Sequence, residues 1–189
     1  MSRLFSAPAA LLPALLLACV PCLGQGAGEA RAGKIEGALK ADVPRVLCVD
    51  ERVTTGAQPA AAAFEKLAGL GFRAVLDMRT EAEGHDAARE RALVEAAGMR
   101  YLSLPVSSEA PRPEQIAEFT RAVKDAGNHP LFVHCASGNR VGAFWLAYRV
   151  VEDGWAVERA LEEAERVGLR SEKLKRFALD YVESRRPVN

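Results

Sequence analysis

An excess of charge of either sign is missing from this 189-residue chain: 25 basic and 25 acidic residues cancel to a formal net charge of zero. No basic stripe with interleaved aromatics runs along it, so nucleic-acid binding has no electrostatic footprint. Cysteine is scarce, at 4 residues, and Cys19 and Cys22 belong to an N-terminal apolar stretch. The remaining pair, Cys48 and Cys135, makes no disulfide framework. A bridge between them needs a distance that sequence cannot supply. Cys48 is expected to be a small buried apolar residue. His85, His129 and His134 are the only histidines. They show no zinc-ligand spacing with those two cysteines, so no metal is expected. None sits in a nucleophile-elbow context that would pair with Cys135 as a protease dyad. No glycine-rich nucleotide loop occurs, and no cofactor is expected.

A membrane-length apolar run is lacking too. Ala9 to Val20 is apolar throughout, but Pro13 interrupts it and it is too short for a span. After Arg3 there is no charge until Glu29. A basic start, a short apolar core and then small residues read as a secretory signal over residues 1–24, cleaved after Gly24. Leu16-Leu17-Ala18-Cys19 also reads as a lipobox, which would make Cys19 a lipid-bearing N-terminus; an uncleaved anchor is the third reading. A cleaved product works in the periplasm or as a secreted protein, and touches membrane only if Cys19 is lipidated. Residues 25–44 are rich in Gly and Ala without a clear period, and are expected to be a loose leader. About 160 residues remain after the signal, enough for one domain, placed at 45–186.

What the chain does have is a strand–loop–helix centred on Cys135. Leu131 to Val133 is a short apolar run that reads as a buried strand. Val141 to Val151 is apolar nearly all round and reads as a buried helix. Between them lie Cys135, Ala136, Ser137, Gly138, Asn139 and Arg140. A loop entering a helix N-terminus presents unpaired N–H groups to an anion. A cysteine there is favoured as thiolate, which makes it a nucleophile aimed at an anionic substrate. Arg140 adds a planar fork that matches a tetrahedral oxyanion. Gly138 lets the backbone turn inward, and Ser137 can offer a hydroxyl. His134 neighbours Cys135, but adjacent strand residues point to opposite faces. It is expected to order the loop by bonding backbone rather than to act as a base.

Elsewhere short β runs alternate with helical stretches. The β runs are Val46–Val49, Val53–Thr55, Phe72–Met78 and Tyr101–Val106; the helices are Ala60–Leu70, Asp86–Ala97, Pro113–Ala126 and two after Val151. The pattern predicts an α/β fold with a mainly parallel central sheet flanked by helices and C-terminal helices. Ligands of such sheets bind at the carboxyl ends of strands. The Cys135 loop, Arg79 and Ser107 to Glu109 all fall at such ends. Arg79 is thus a further phosphate-binding candidate or a brace. Glu81 and Glu83 read as a solvated loop.

The stretch His134-Cys-Ala-Ser-Gly-Asn-Arg140 resembles the phosphate-binding signature of cysteine-dependent protein tyrosine and dual-specificity phosphatases. The likeness is to the bacterial branch that includes the phosphatase-like domain of beta-lactamase-hydrolase-like proteins. Thr55-Gly-Ala-Gln-Pro59, Val75-Leu-Asp-Met-Arg79 and Tyr101-Leu-Ser-Leu-Pro-Val106 match that branch in order and spacing, and the resemblance covers Val46 to Tyr181. It implies a phosphatase-like fold in which Cys135 attacks phosphorus and becomes a phosphocysteine. Arg140 and the amides of Ala136, Ser137, Gly138 and Asn139 then hold the phosphoryl oxygens. The implied partner is a phosphorylated small molecule or a phosphoprotein.

The chain departs from the usual signature in three places. Four residues, not five, separate Cys135 from Arg140, a ring size that resembles rhodanese sulfurtransferases, whose cysteine carries a persulfide. Val141 stands where Ser or Thr is usual. No Trp-Pro-Asp supplies a general acid; Glu109 is the nearest carboxylate, with Asp77, Glu81, Glu83 and Asp86 as rivals. Three functions therefore stand side by side: a phosphatase, a Cys135-persulfide sulfurtransferase, and a non-catalytic phosphate-binding module.

Overall fold

A computed structural model describes residues 25–185. Five strands make one sheet in the order β1-β2-β5-β3-β4. They are β1 Leu47–Cys48, β2 Val53–Gly56, β3 Ala74–Asp77, β4 Arg100–Ser103 and β5 Leu131–His134. Only β1 runs antiparallel, against β2; the other pairs are parallel. The described helices are α1 Gln25–Leu39, α2 Ala62–Gly69, α3 Ala87–Ala96, α4 Pro113–Lys124, α5 Asn139–Val151, α6 Val157–Val167 and α7 Glu172–Ser184. The expected mainly parallel α/β sheet is what forms. None of these helices is long and apolar enough to cross a membrane.

The apolar run of β5 follows from its place in the middle of the sheet, where both faces are covered. Leu131 and Val133 point into one core with Phe119 of α4, Phe144 and Trp145 of α5, and Leu174 of α7. Phe132 points into the other with Phe64 and Leu67 of α2 and Val94 of α3. Helix α5 is buried continuously from Arg140 to Arg149 because α4, α6 and α7 pack around it. Burying each large side chain of this kind contributes about 1.5–3 kcal/mol.

The register places the site. Gly56, His134, Asp77 and Ser103 end their strands side by side. The segments that follow them therefore emerge along one edge of the sheet. These are Ala57 to Pro59, the Cys135 loop, Met78 to Gly84, and Leu104 to Val106.

Residues 25–44 are not a loose leader. Residues 25–39 form α1, which buries Ile35 and Leu39 with Val43 against Phe64 and Leu67. The helix was hidden because Gly26, Gly28, Gly33 and Gly37 weaken it intrinsically. Only one buried apolar pair, four residues apart, marks its inner face. β3 and β4 also stop short of the predicted Met78 and Val106. The chain continues past them with isolated bonds, Leu104 N–H to Asp77 O and Val106 N–H to Met78 O. Cys48 is half-buried beside Thr54 Oγ1 at 3.3 Å, burial pushes its thiol up, and neither it nor Cys135 is in a disulfide. The expected signal over residues 1–24, with Cys19, lies outside the described residues.

Candidate active site

Cys135 leaves β5 with its side chain fully buried. Gly138 turns the chain into α5 with φ +88°, a left-handed conformation that glycine adopts without strain. A Cβ at Gly138 would also collide with the Val167 carbonyl. The turn brings the Gly138 N–H back to Cys135 Sγ at 3.2 Å. The N–H groups of the exposed Ala136 and Ser137 find no acceptor among the described residues. The loop thus curls back on the cysteine as a bowl at the start of α5.

The loop is pressed into shape from the α6–α7 side. Gly168, φ +137°, packs its Cα against Gly138. Asn139 accepts at Oδ1 from the N–H groups of Arg170 and Ser171, at 2.6 and 2.9 Å. Its amide donates to Ser137 Oγ at 3.3 Å. Asn139 and Ser137 therefore brace the loop from outside the bowl.

Arg140 lies in the first turn of α5 and is 3% exposed. Its guanidinium donates to the backbone carbonyls of Met78 at 3.0 Å and Val106 at 2.9 Å. Both nitrogens of its fork engage the Glu83 carboxylate. Burial opposes the charge, but Glu83 and the Cys135 sulfur outweigh it and hold the guanidinium above its ordinary value. Burial works against the Glu83 carboxylate as well. Arg140, together with the Thr80 backbone and hydroxyl, nevertheless brings that carboxyl down to about 2.

Glu83 lies in an exposed loop, as expected, but its role is neither idle nor that of a proton donor: it is the carboxylate that holds Arg140. Thr80 and Glu83 carry a visible signal, the capping-box spacing. Nothing local points from Glu83 to Arg140, 57 residues away.

The other candidates fall as follows. Arg79 is a brace: its guanidinium donates to Gln58 Oε1 at 2.9 Å and meets Glu83 at 3.4 Å. His134 does not order the loop through backbone. Its Nε2 meets Glu90 Oε1 at 2.7 Å, because the strand turns its ring to the α3 face of the sheet. Glu109 stands on the surface paired with Lys173 at 2.7 Å, and that ammonium holds its carboxyl below the usual range. This favours the carboxylate, the opposite of what a proton donor needs. Asp86 caps α3 by accepting from Arg89 N–H, and Glu81 is exposed. Asp77 is buried beneath the site, accepting from Arg79 N–H and Tyr101 Oη and facing His85 Nε2 at 2.6 Å. Burial and that carboxylate push the Tyr101 phenol far above its ordinary value.

Sequence spacing gave no metal set, yet ligand-type atoms of Asp77, Glu90 and His134 lie within 4.8 Å of one another. Each of these groups already has a hydrogen-bond partner in the protein.

Dual specificity protein phosphatase TpbA of Pseudomonas aeruginosa is 35% identical over 95 residues, which make up 49% of this chain and 44% of TpbA. The beta-lactamase hydrolase-like protein of Agrobacterium fabrum is 33% identical over 95 residues, 49% of this chain and 22% of that protein. The chain thus spans less than half the length of these curated relatives. The crystal structure of TpbA superposes with TM-score 0.60 at 28% identity, covering 75% of this chain and 84% of that one; a TpbA variant has been solved with phosphotyrosine. The core catalytic domain of the S. cerevisiae PP-IP phosphatase SIW14 shares the fold, with TM-score 0.64 at 17% identity over 74% of this chain and 87% of its own. The family model described as DSP-PTPase phosphatase fused to NAD+ kinase matches residues 46–179, a span that contains the whole Cys135 bowl and Glu83. By that match this chain belongs to the DSP-PTPase family so described.

Proposed function

We propose that the protein is a cysteine-dependent phosphatase acting on phosphomonoesters through a phosphocysteine. The observation that carries the reading is the bowl. A buried Cys135 Sγ receives a helix-start N–H at 3.2 Å and lies within the field of the Arg140 guanidinium. Both groups set positive charge beside the sulfur, at the base of an anion site. In the first step Sγ attacks phosphorus, a P–S bond forms, and the P–O bond to the leaving group breaks. Arg140 and the loop amides take up the charge on the three equatorial oxygens. In the second step water attacks the phosphocysteine, phosphate leaves, and the thiolate is restored.

Each candidate carboxyl is engaged elsewhere: Glu109 by Lys173, Glu83 by Arg140, Asp77 by Tyr101 and Asp86 by the start of α3. The leaving group therefore departs as an oxyanion, which suits phenols far better than alcohols. The substrate class is accordingly a phenolic phosphate, on a phosphoprotein or a small molecule; the TpbA variant bound to phosphotyrosine supports it. The sulfurtransferase and binding-module readings draw no support from the family to which the chain belongs. With residues 1–24 read as a secretory signal, the proposed place of work is the periplasm or outside the cell, with membrane attachment through Cys19 if that residue is acylated; fractionation and palmitate labelling test this.

The test is turnover of an aryl phosphate with and without vanadate. Cys135→Ser should abolish turnover while leaving oxyanion binding. Full aryl-phosphatase turnover by that variant would rule out the covalent route. Release of thiocyanate from thiosulfate and cyanide, without phosphatase activity, would replace the reading with a sulfurtransferase.

A further inference from the structure

The two ends of the Cys135 loop are joined by one hydrogen-bonded circuit that runs behind it. His134, just before Cys135, donates from Nε2 to Glu90 Oε1 at 2.7 Å. Glu90 Oε2 accepts from Gln58 Nε2 at 2.6 Å. Gln58 Oε1 accepts from Arg79 Nη1 at 2.9 Å. Arg79 Nε meets Glu83 at 3.4 Å, and Glu83 holds Arg140, the last residue of the loop. The backbone N–H of Gln58 also reaches the Ala136 carbonyl, inside the loop, at 3.4 Å.

Gln58 is the one member of this circuit whose side chain must donate on one side and accept on the other. A carboxylate only accepts and a guanidinium only donates, so a side chain between Glu90 and Arg79 must present a donor to one and an acceptor to the other. A carboxamide does this; a carboxylate would face Glu90 with like charge, and an amine would face Arg79 with like charge. The same logic fixes which end of the amide is nitrogen.

From this geometry we infer that Gln58 is a positioning residue for the reaction. It acts through Arg79 and Glu83 on the fork of Arg140 and through Glu90 and His134 on the root of Cys135, and it touches neither substrate nor phosphorus. The inference rests on the phosphatase reading for its kinetic arm.

The experiment compares the full chain with Gln58→Leu, Gln58→Glu and the exchange Gln58→Glu/Glu90→Gln. In the exchange, the new carboxylate at 58 accepts from Arg79 and from the new amide at 90, whose oxygen accepts from His134. Four readouts are taken: kcat and KM for an aryl phosphate, vanadate affinity, the rate of Cys135 alkylation by iodoacetamide, and the thermal midpoint. Misplacing the fork should cost both single variants about 3- to 10-fold in kcat, with KM nearly unchanged and vanadate bound more weakly. The exchange should recover most of that loss, with vanadate affinity following kcat. A folded Gln58→Leu with wild-type kcat and vanadate affinity would overturn the inference, as would an exchange no better than Gln58→Glu alone. If Gln58→Leu does not fold, the comparison of Gln58→Glu with the exchange decides. A wild-type chain idle toward aryl phosphate would count against the phosphatase reading instead. Vanadate binding and alkylation would then still judge Gln58.

Discussion

Helix α5 carries two buried arginines nine residues apart, and they are held in opposite ways. Arg149, near its end, is saturated. Glu163 receives its Nε at 2.7 Å, Asp153 and Asp50 flank it at 2.8 and 3.4 Å, and the Val49 carbonyl takes a further bond at 2.9 Å. Trp145 and Trp155 add their ring faces at 4.5 and 4.4 Å. Arg140, at the start, has a single carboxylate partner, Glu83, on a short 3-10 turn at the surface. Its other protein partners are two backbone carbonyls and the field of Cys135. A cation enclosed by three carboxylates and two indoles fastens a core. A cation aimed by one carboxylate beside a sulfur keeps attraction to spare for an anion.

The contrast can be broken most forcefully at Arg140. Arg140→Lys keeps the charge but loses the planar fork, and should lower kcat/KM for aryl phosphate about 10²- to 10³-fold with the chain still folded. Steady-state kinetics beside a melting curve measures both. The mirror experiment is Arg149→Met. Removing the buried cation shared by three partly exposed carboxylates should cost about 1–3 kcal/mol by denaturant unfolding. Activity per folded molecule should hold. If Arg149→Met instead removed activity from a stable protein, the division of labour would be wrong.

A smaller effect belongs to Glu83. Glu83→Gln should lower kcat by about tenfold, since the fork loses its charged guide but keeps two carbonyls. It should also change the acid limb of stability. The Glu83 carboxyl is depressed to about 2 in the fold, so its contribution is complete above its unfolded value near 4.5 and is lost as pH falls through about 2. Wild type should therefore lose stability over that window by more than Glu83→Gln does, in pH-dependent urea unfolding. The smallest effect is expected at Glu109. Glu109→Gln should leave kcat on aryl phosphate within about twofold, because an exposed pair with a lysine is worth little. A hundredfold loss there would restore Glu109 as the proton donor.

Much of this was legible before any coordinates. The Cys135-to-Arg140 spacing, Gly138 at the turn and the all-round apolar Val141–Val151 stretch are local signals, and each reports a local geometry. The alternation of β runs and helices gave the parallel sheet for the same reason. The roles of His134 and Glu83 were not legible because their partners, Glu90 and Arg140, lie 44 and 57 residues away. Glu109 follows a strand end in sequence, but its partner Lys173 lies 64 residues on. Helix α1 escaped because its weak intrinsic propensity is offset only by packing against α2 and β1.

Sequence alone determined the chemistry on offer: a thiol at a helix start, a guanidinium one turn on, and a glycine between them that can turn the backbone. These follow from bond geometry and hydrogen-bonding capacity within a dozen residues. Only the tertiary structure decided which carboxylate aims the guanidinium, which merely rests on the surface, and how Gln58 joins Glu90 to Arg79. Those pairings depend on strand ends brought side by side by the sheet, and register is a property of the whole fold.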